Sequence, residues 1–355
     1  MALTATWLVV LILSGASALL RVWAEAVGGP ASAGFPEYAL AAAVFTTVLF
    51  FIEETSGFPL AYYRGFLLEH RYGLSRESLR DWLRDHAKAA GIGLVFSLVA
   101  AVAVYAAIYL TPRWWWLITA LLATLAAMLL TNILPTVLLP LFYRLEPLDR
   151  AELRDRLIAL ARAQGVKAIG VFIWGLGEKT RKGNAALVGL GHTRRILLSD
   201  TLLAEYSDDE IEVILAHELA HHVHHDLWKA IALEAAIALV AAWTADFTRR
   251  AVGPIFGFTG PQDLAAMPLH LLGAGVVSVL AVPLINAVSR RNERSADRFA
   301  LQLAGRPAAF ISAMKRLGAQ NLAEPRPSAL IRLLFYTHPP VDERIASAAR
   351  LGSPS

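Results

Sequence analysis

The chain has 355 residues, 56% of them hydrophobic and only 17% charged, with a mean hydropathy of +0.49. So apolar a composition excludes an ordinary soluble domain and points to a membrane protein with the lipid bilayer as a partner. The net charge of +4 includes no basic tail or aromatic-basic stripe, so no nucleic acid is expected as a partner, and the absence of cysteine leaves any metal to His and carboxylates.

Six apolar stretches approach or exceed the roughly 20 helical residues that cross a bilayer core. They lie near Leu3–Trp23, Tyr38–Phe51, Ala89–Leu110, Trp114–Phe142, Trp228–Phe247 and Met267–Val288. The first has neither a basic leader nor a small-residue cleavage site, and reads as a retained helix from Met1 to Ala24 rather than a signal peptide. The second is short and ends at Glu53 and Glu54; the fourth contains Pro135 and Pro140, which predict a kink or a split into two pieces. Six to seven spans are therefore expected. The 53–88 connection holds Arg64, Arg71, Arg76, Arg80, Arg84 and Lys88, which predicts a cytoplasmic loop, with 144–226 and the region after 289 on the same side. Arg249 and Arg250 run against that orientation.

Between the fourth and fifth stretches, residues 144–226 read as a small α+β unit. Arg150–Gln164 has helical spacing, Ala168–Trp174 is strand-like, and Leu187–Leu190 with Arg194–Ser199 flank Gly191-His192-Thr193 as a hairpin. Ser207 followed by Glu210 is a capping box, so a helix should begin there. That helix contains His217-Glu218-Leu219-Ala220-His221, an HExxH motif. One helical turn separates the two imidazoles, so both can hold one zinc ion, while Glu218 can take a proton from a water that the metal polarises.

A catalytic zinc takes three protein ligands and keeps one open position. The candidate third ligand is Glu293, in Ser289–Ala300 (SRRNERSADRFA), with Asp297 one turn further on to accept the free N–H of a ligand histidine. Without the HExxH, this pair would read as a solvated face partnered by Arg290, Arg291, Arg294 and Arg298. His225 is the alternative third ligand, and His222, His224 and His225 otherwise read as an interfacial or supporting cluster. The organisation expected is an N-terminal membrane bundle over 1–143, a catalytic segment over 144–226, two membrane helices over 227–289, and a helical segment over 290–355 that completes the site.

These residues together resemble the integral-membrane CAAX prenyl proteases (type I zinc metallopeptidases), which are related to HtpX-type membrane proteases. GFPLAYYRGFLLEHRYGLSRESLRDWLR from Gly57 to Arg84 is similar to the family's stretch after its second span. Pro140–Leu148 (PLFYRLEPL), Asn184-Ala185 with Arg194–Leu203 (RRILLSDTLL), Ser289–Asp297 (SRRNERSAD) and His338-Pro339-Pro340 with Arg344 match further family motifs in order. The resemblance implies an α-helical multi-pass membrane protein with a small α+β, gluzincin-like zincin domain. It implies a metalloendopeptidase that cleaves near the C-terminus of lipidated, prenylated or membrane-associated protein substrates. It also implies Glu293 as third zinc ligand, His338 as oxyanion stabiliser, Arg344 as a residue that fixes the site, and Asn184 and Ala185 as binders of the substrate backbone. The family's aromatic residues after Asn-Ala are replaced here by Ala186, Leu187 and Val188. The short segment between Leu203 and the HExxH suggests a prokaryotic homologue in a cytoplasmic membrane, with its site facing the cytoplasm. A quality-control protease without prenyl preference and a non-catalytic membrane scaffold are the other readings.

Overall fold

The computed structural model describes residues 2–352 apart from 190 and 325. Among the described residues, five helices are long and apolar enough to cross a membrane: Phe35–Arg71, Leu79–Leu110, Trp115–Phe142, Asp226–Phe256 and Leu264–Ala304. The multi-pass helical class expected from composition is thus what the chain adopts. A sixth crossing exists if Ala2–Leu13 and Ala16–Ala33 are taken as one span, although a bend of 79° separates them. The stretch expected as one helix over Leu3–Trp23 is broken there because Gly15 takes φ 74°, the left-handed region. Each 12-residue half is about 18 Å long, well short of a hydrocarbon core of about 30 Å.

Two further stretches differ from expectation for identifiable reasons. The second does not stop at Glu53 and Glu54, because both carboxylates find partners. Glu53 accepts from Thr4 Oγ1 at 2.8 Å and Trp7 Nε1 at 2.6 Å, and Glu54 lies 2.6 Å from His86 Nε2. The fourth remains one helical run: the backbone widens to a π-helix over Leu134–Leu138, which accommodates Pro135 without a break.

The chain divides into two compact units. The first comprises Met1–Leu67, Leu79–Ala126 and Ala232–Ala281. Its core buries Tyr38, Phe45 and Ile108 fully, and its buried acids Asp246 and Asp263 are paired, as buried charges within a membrane protein must be. Asp263 meets Arg21 at 3.2 Å, and Asp246 accepts from Trp115 Nε1 and from Arg249, each at 3.1 Å.

The second unit comprises Leu68–Ser78, Ala127–Ile231 and Val282–Ser355. Its sheet contains β1 (Leu145–Pro147), β2 (Val171–Trp174), β3 (Ala185–Val188) and β4 (Arg195–Ser199), in the order β1-β2-β4-β3. β2 and β4 run parallel, the other pairs antiparallel. The expected hairpin is β3 with β4, joined through Gly191–Thr193; Leu190 of that prediction lies outside the described residues. β3 is an edge strand. The expected Arg150–Gln164 helix occupies Ala151–Ala163 and buries Leu153, Leu157 and Ala161, four residues apart, in the core.

The HExxH helix runs Asp208–Val223. Ser207 accepts the Glu210 N–H at 3.3 Å while Glu210 accepts the Ser207 N–H at 2.8 Å, which closes the capping box and fixes the first turn. Ile211, Leu215 and Leu219 lie on one fully buried stripe of this helix, so its core face is fixed, and with it the direction of His217 and His221. Ser207→Ala is expected to cost about 1 kcal/mol. The change should appear as a lower thermal unfolding midpoint, with helix content retained by circular dichroism.

Candidate metal centre

His217 and His221 project from neighbouring turns of the HExxH helix, and their Nε2 atoms come within 3.3 Å of each other. Glu293, carried by the helix Met267–Ala304, brings Oε2 to 3.1 Å from His217 Nε2 and Oε1 to 3.4 Å from His221 Nε2. One donor atom from each residue lies within 4.8 Å of the others, and among the described residues this is the one such group of His and acids able to hold a metal. Two imidazoles and a carboxylate are a donor set suited to zinc.

The local physics also calls for a cation. Glu293 is 6% exposed, and its buried Oε2 has the His217 imidazole at 3.1 Å beside it, a costly arrangement unless a positive charge occupies the gap. Burial disfavours a charge on His217, yet hydrogen bonds to the Asp297 and Glu293 carboxylates prevail and raise it to about 9. Surroundings that favour a proton so strongly would favour a divalent ion in its place.

Behind each imidazole stands a carboxylate with its own cation. His217 Nδ1 is 3.0 Å from Asp297 Oδ1. Asp297 in turn accepts two hydrogen bonds from Arg344, Nε to Oδ2 at 2.9 Å and Nη2 to Oδ1 at 2.5 Å. His221 Nδ1 is 2.9 Å from Asp226 Oδ2, and Lys229 Nζ is 2.9 Å from Asp226 Oδ1. Asp226 carries little signal in the sequence, since its spacing from His221 matches no helical turn. His225, the alternative third ligand, is exposed beyond the end of the HExxH helix at φ 57° and is not part of the donor group. His224 packs on Phe299, with ring centroids 5.4 Å apart.

Glu218 lines a cavity of about 630 Å³, together with Asn184, Ala185, His338 and Arg344 and apolar side chains such as Met314. Burial pushes its carboxyl above the ordinary value, against the pull of His217 and His221. His338 Nε2 is 3.4 Å from Glu293 Oε1. The segment leading to it is held by backbone contacts: Arg290 donates to the carbonyls of Arg332 (2.9 Å) and Tyr336 (2.6 Å), and Asn286 to that of Leu334 (2.8 Å). Asn184 immediately precedes the edge strand, and there its N–H donates to Ser199 Oγ and its carbonyl accepts the Ser199 N–H, both at 2.9 Å.

An HExxH helix facing a buried carboxylate from a later helix, within a chain of membrane helices, defines a membrane metalloprotease. The chain belongs to peptidase family M48, whose model matches residues 147–351, and residues 2–144 match the model described as CAAX prenyl protease N-terminal, five membrane helices. It is 29% identical over 345 residues to the uncharacterized metalloprotease YhfN of Bacillus subtilis, covering 96% of this chain and 79% of that protein. It is 25% identical to CAAX prenyl protease 1 of Saccharomyces cerevisiae, over 81% of this chain and 68% of that one. The crystal structure of S. mikatae Ste24p has the same fold, with a TM-score of 0.76 at 22% identity over 88% of this chain and 76% of that one.

Arg344 is almost buried against Asp297, so its removal would strand a buried carboxylate. Arg344→Ala is expected to cost about 3–5 kcal/mol, the range for breaking a buried ion pair. The thermal midpoint of the metal-free protein measures it; an unchanged midpoint would mean that Asp297 has another source of compensation.

Proposed function

We propose that this protein is a zinc metalloendopeptidase cleaving peptide bonds near the C-terminus of lipidated, prenylated CAAX-type or membrane-associated proteins. The observation that carries the reading is the convergence of the donor atoms of His217, His221 and Glu293, with His217 and Glu218 lining one cavity. The relatives named CAAX prenyl protease 1 support the substrate class.

Zinc held by those three residues would act as a Lewis acid on the scissile carbonyl and would make water nucleophilic near neutral pH. Glu218, as carboxylate, accepts the proton of the attacking water and returns it to the leaving amine. His338 donates to the oxygen on which negative charge develops, an effect worth about 3 kcal/mol for one such donor. Asp297, gripped by Arg344, holds His217 with Nδ1 protonated, so that the Nε2 lone pair faces the metal. Asn184, just before the edge strand β3, and Ala185, its first residue, would receive the substrate backbone as an added strand. The basic residues from Arg64 to Lys88, on the facing ends of the helices Phe35–Arg71 and Leu79–Leu110 and the short connection between them rather than in the loop expected over 53–88, support a site facing the cytoplasm, and the short segment between Leu203 and the HExxH supports a prokaryotic membrane.

Glu218→Gln is expected to keep one zinc per chain while turnover falls by at least about 10²–10⁴. Metal analysis and peptide cleavage on the same preparations test this: unchanged turnover removes Glu218 as base, and a parent without zinc removes the site. Chelation should abolish cleavage and added zinc restore it. The small Ala186, Leu187 and Val188 in place of the family's aromatic residues favour one second reading, a quality-control protease indifferent to prenylation. A farnesylated peptide beside its unmodified form separates the two. Faster cleavage of the farnesylated form is expected, and equal rates would leave the second reading.

A further inference from the structure

We propose that Asp226 is a positioning residue of the metal centre, fixing the tautomer and ring orientation of His221 and thereby setting how tightly the site retains its metal. The inference rests on the reading of His217, His221 and Glu293 as metal ligands.

His221 is the less constrained of the two imidazoles, its side chain being 28% exposed against 10% for His217. A ring so placed could turn over and present the wrong nitrogen. Its Nε2 faces His217 and Glu293, at 3.3 and 3.4 Å, and its Nδ1 faces Asp226 Oδ2 at 2.9 Å. An ionised carboxylate can only accept, so Nδ1 carries the hydrogen and a neutral ring keeps its lone pair on Nε2, toward the metal. Asp226 is itself 7% exposed and is faced by two positive features. Lys229, three residues on, lies 2.9 Å from its other oxygen, and Asp226 is the first residue of the helix Asp226–Val252, where the helix dipole favours an anion.

The backbone is bent to make this contact. In an unbroken helix, a residue five positions after His221 would sit about 140° round the axis and could not reach its ring. Instead the HExxH helix ends at Val223 and the chain passes through His225 at φ 57°, a left-handed conformation uncommon for a residue other than glycine. The turn returns Asp226 to the side of His221. A strained residue beside the site, occupied in placing a buried acid on a ligand, matches the pattern of strain kept for function. The result mirrors His217, whose Nδ1 meets Asp297 backed by Arg344.

The alternative is that Asp226 serves only the helix start and Lys229. Full-length parent, Asp226→Ala, Asp226→Asn and Asp226→Glu separate the two, using zinc release to a chelating dye, the visible spectrum of the cobalt-substituted protein, and the thermal midpoint of the metal-free forms. Asp226→Ala is expected to hold zinc about 10–100-fold more weakly, the usual effect of losing such a partner. Asp226→Asn, whose amide oxygen can still accept, should stay near the parent in both zinc release and cobalt spectrum. Asp226→Glu keeps the charge for Lys229 and the helix start but misplaces the acceptor. It should release zinc faster with its metal-free midpoint retained, which keeps the test decisive even if Asp226→Ala does not fold. Parent-like zinc retention in Asp226→Ala or Asp226→Glu would overturn the proposal, as would equal losses in the Ala and Asn variants. A parent that takes up no zinc would overturn the metal reading itself, a result distinguishable from failure of the variants alone.

Discussion

The constraint on which the catalytic unit depends is the burial of Glu293 between two imidazoles. A carboxylate removed from water is tolerated only where a positive charge answers it, and here its two oxygens face the imidazoles of His217 and His221 at 3.1 and 3.4 Å. The neighbouring groups fall into place around that demand. The imidazoles turn Nε2 inward, their Nδ1 atoms turn outward to Asp297 and Asp226, and each of those acids is neutralised by a cation on its far side. The outcome is alternating charge in layers, with a cation-seeking gap at the centre.

Three separate pieces of chain supply these layers: the HExxH helix with its following turn, the helix bearing Glu293 and Asp297, and the segment from His338 to Arg344. The first is fixed to the core by its Ile211, Leu215 and Leu219 stripe and by the capping box at Ser207. The second contributes Glu293 and Asp297 four residues apart, so a carboxylate that faces both imidazoles and an acid that faces His217 Nδ1 share one helix side. The third arrives with Pro339 and Pro340 buried after His338, which restricts the backbone next to that imidazole.

Much of this was legible in the residues because the relevant signals are local. HExxH spacing, the Ser207–Glu210 pair, and the hairpin around Gly191–Thr193 all act within a few positions, and the structure forms the helix and hairpin they predict. Glu293 and Asp297 could be chosen because the chemistry of a third ligand narrowed the search to acids near a helix. What was not legible depends on partners distant in sequence or on a single dihedral angle. Glu53 and Glu54 looked like the end of a helix because nothing near them announces Thr4, Trp7 or His86. The break at Gly15 needed one left-handed residue in an otherwise continuous apolar run. Asp226 was hidden for a related reason: its register with His221 exists only because His225 leaves the helix.

Arg290 and Asn286 hold the approach to His338 by carbonyl oxygens, groups that every residue possesses. The tether is therefore indifferent to which side chains occupy 332–336, and drift in that stretch leaves the grip intact. The burden of inheritance falls on the two gripping side chains, one of which stands one helical turn before Glu293. A lineage could thus revise the lip of its cavity, and with it the substrates admitted, without disturbing the residues that align His338 with the centre.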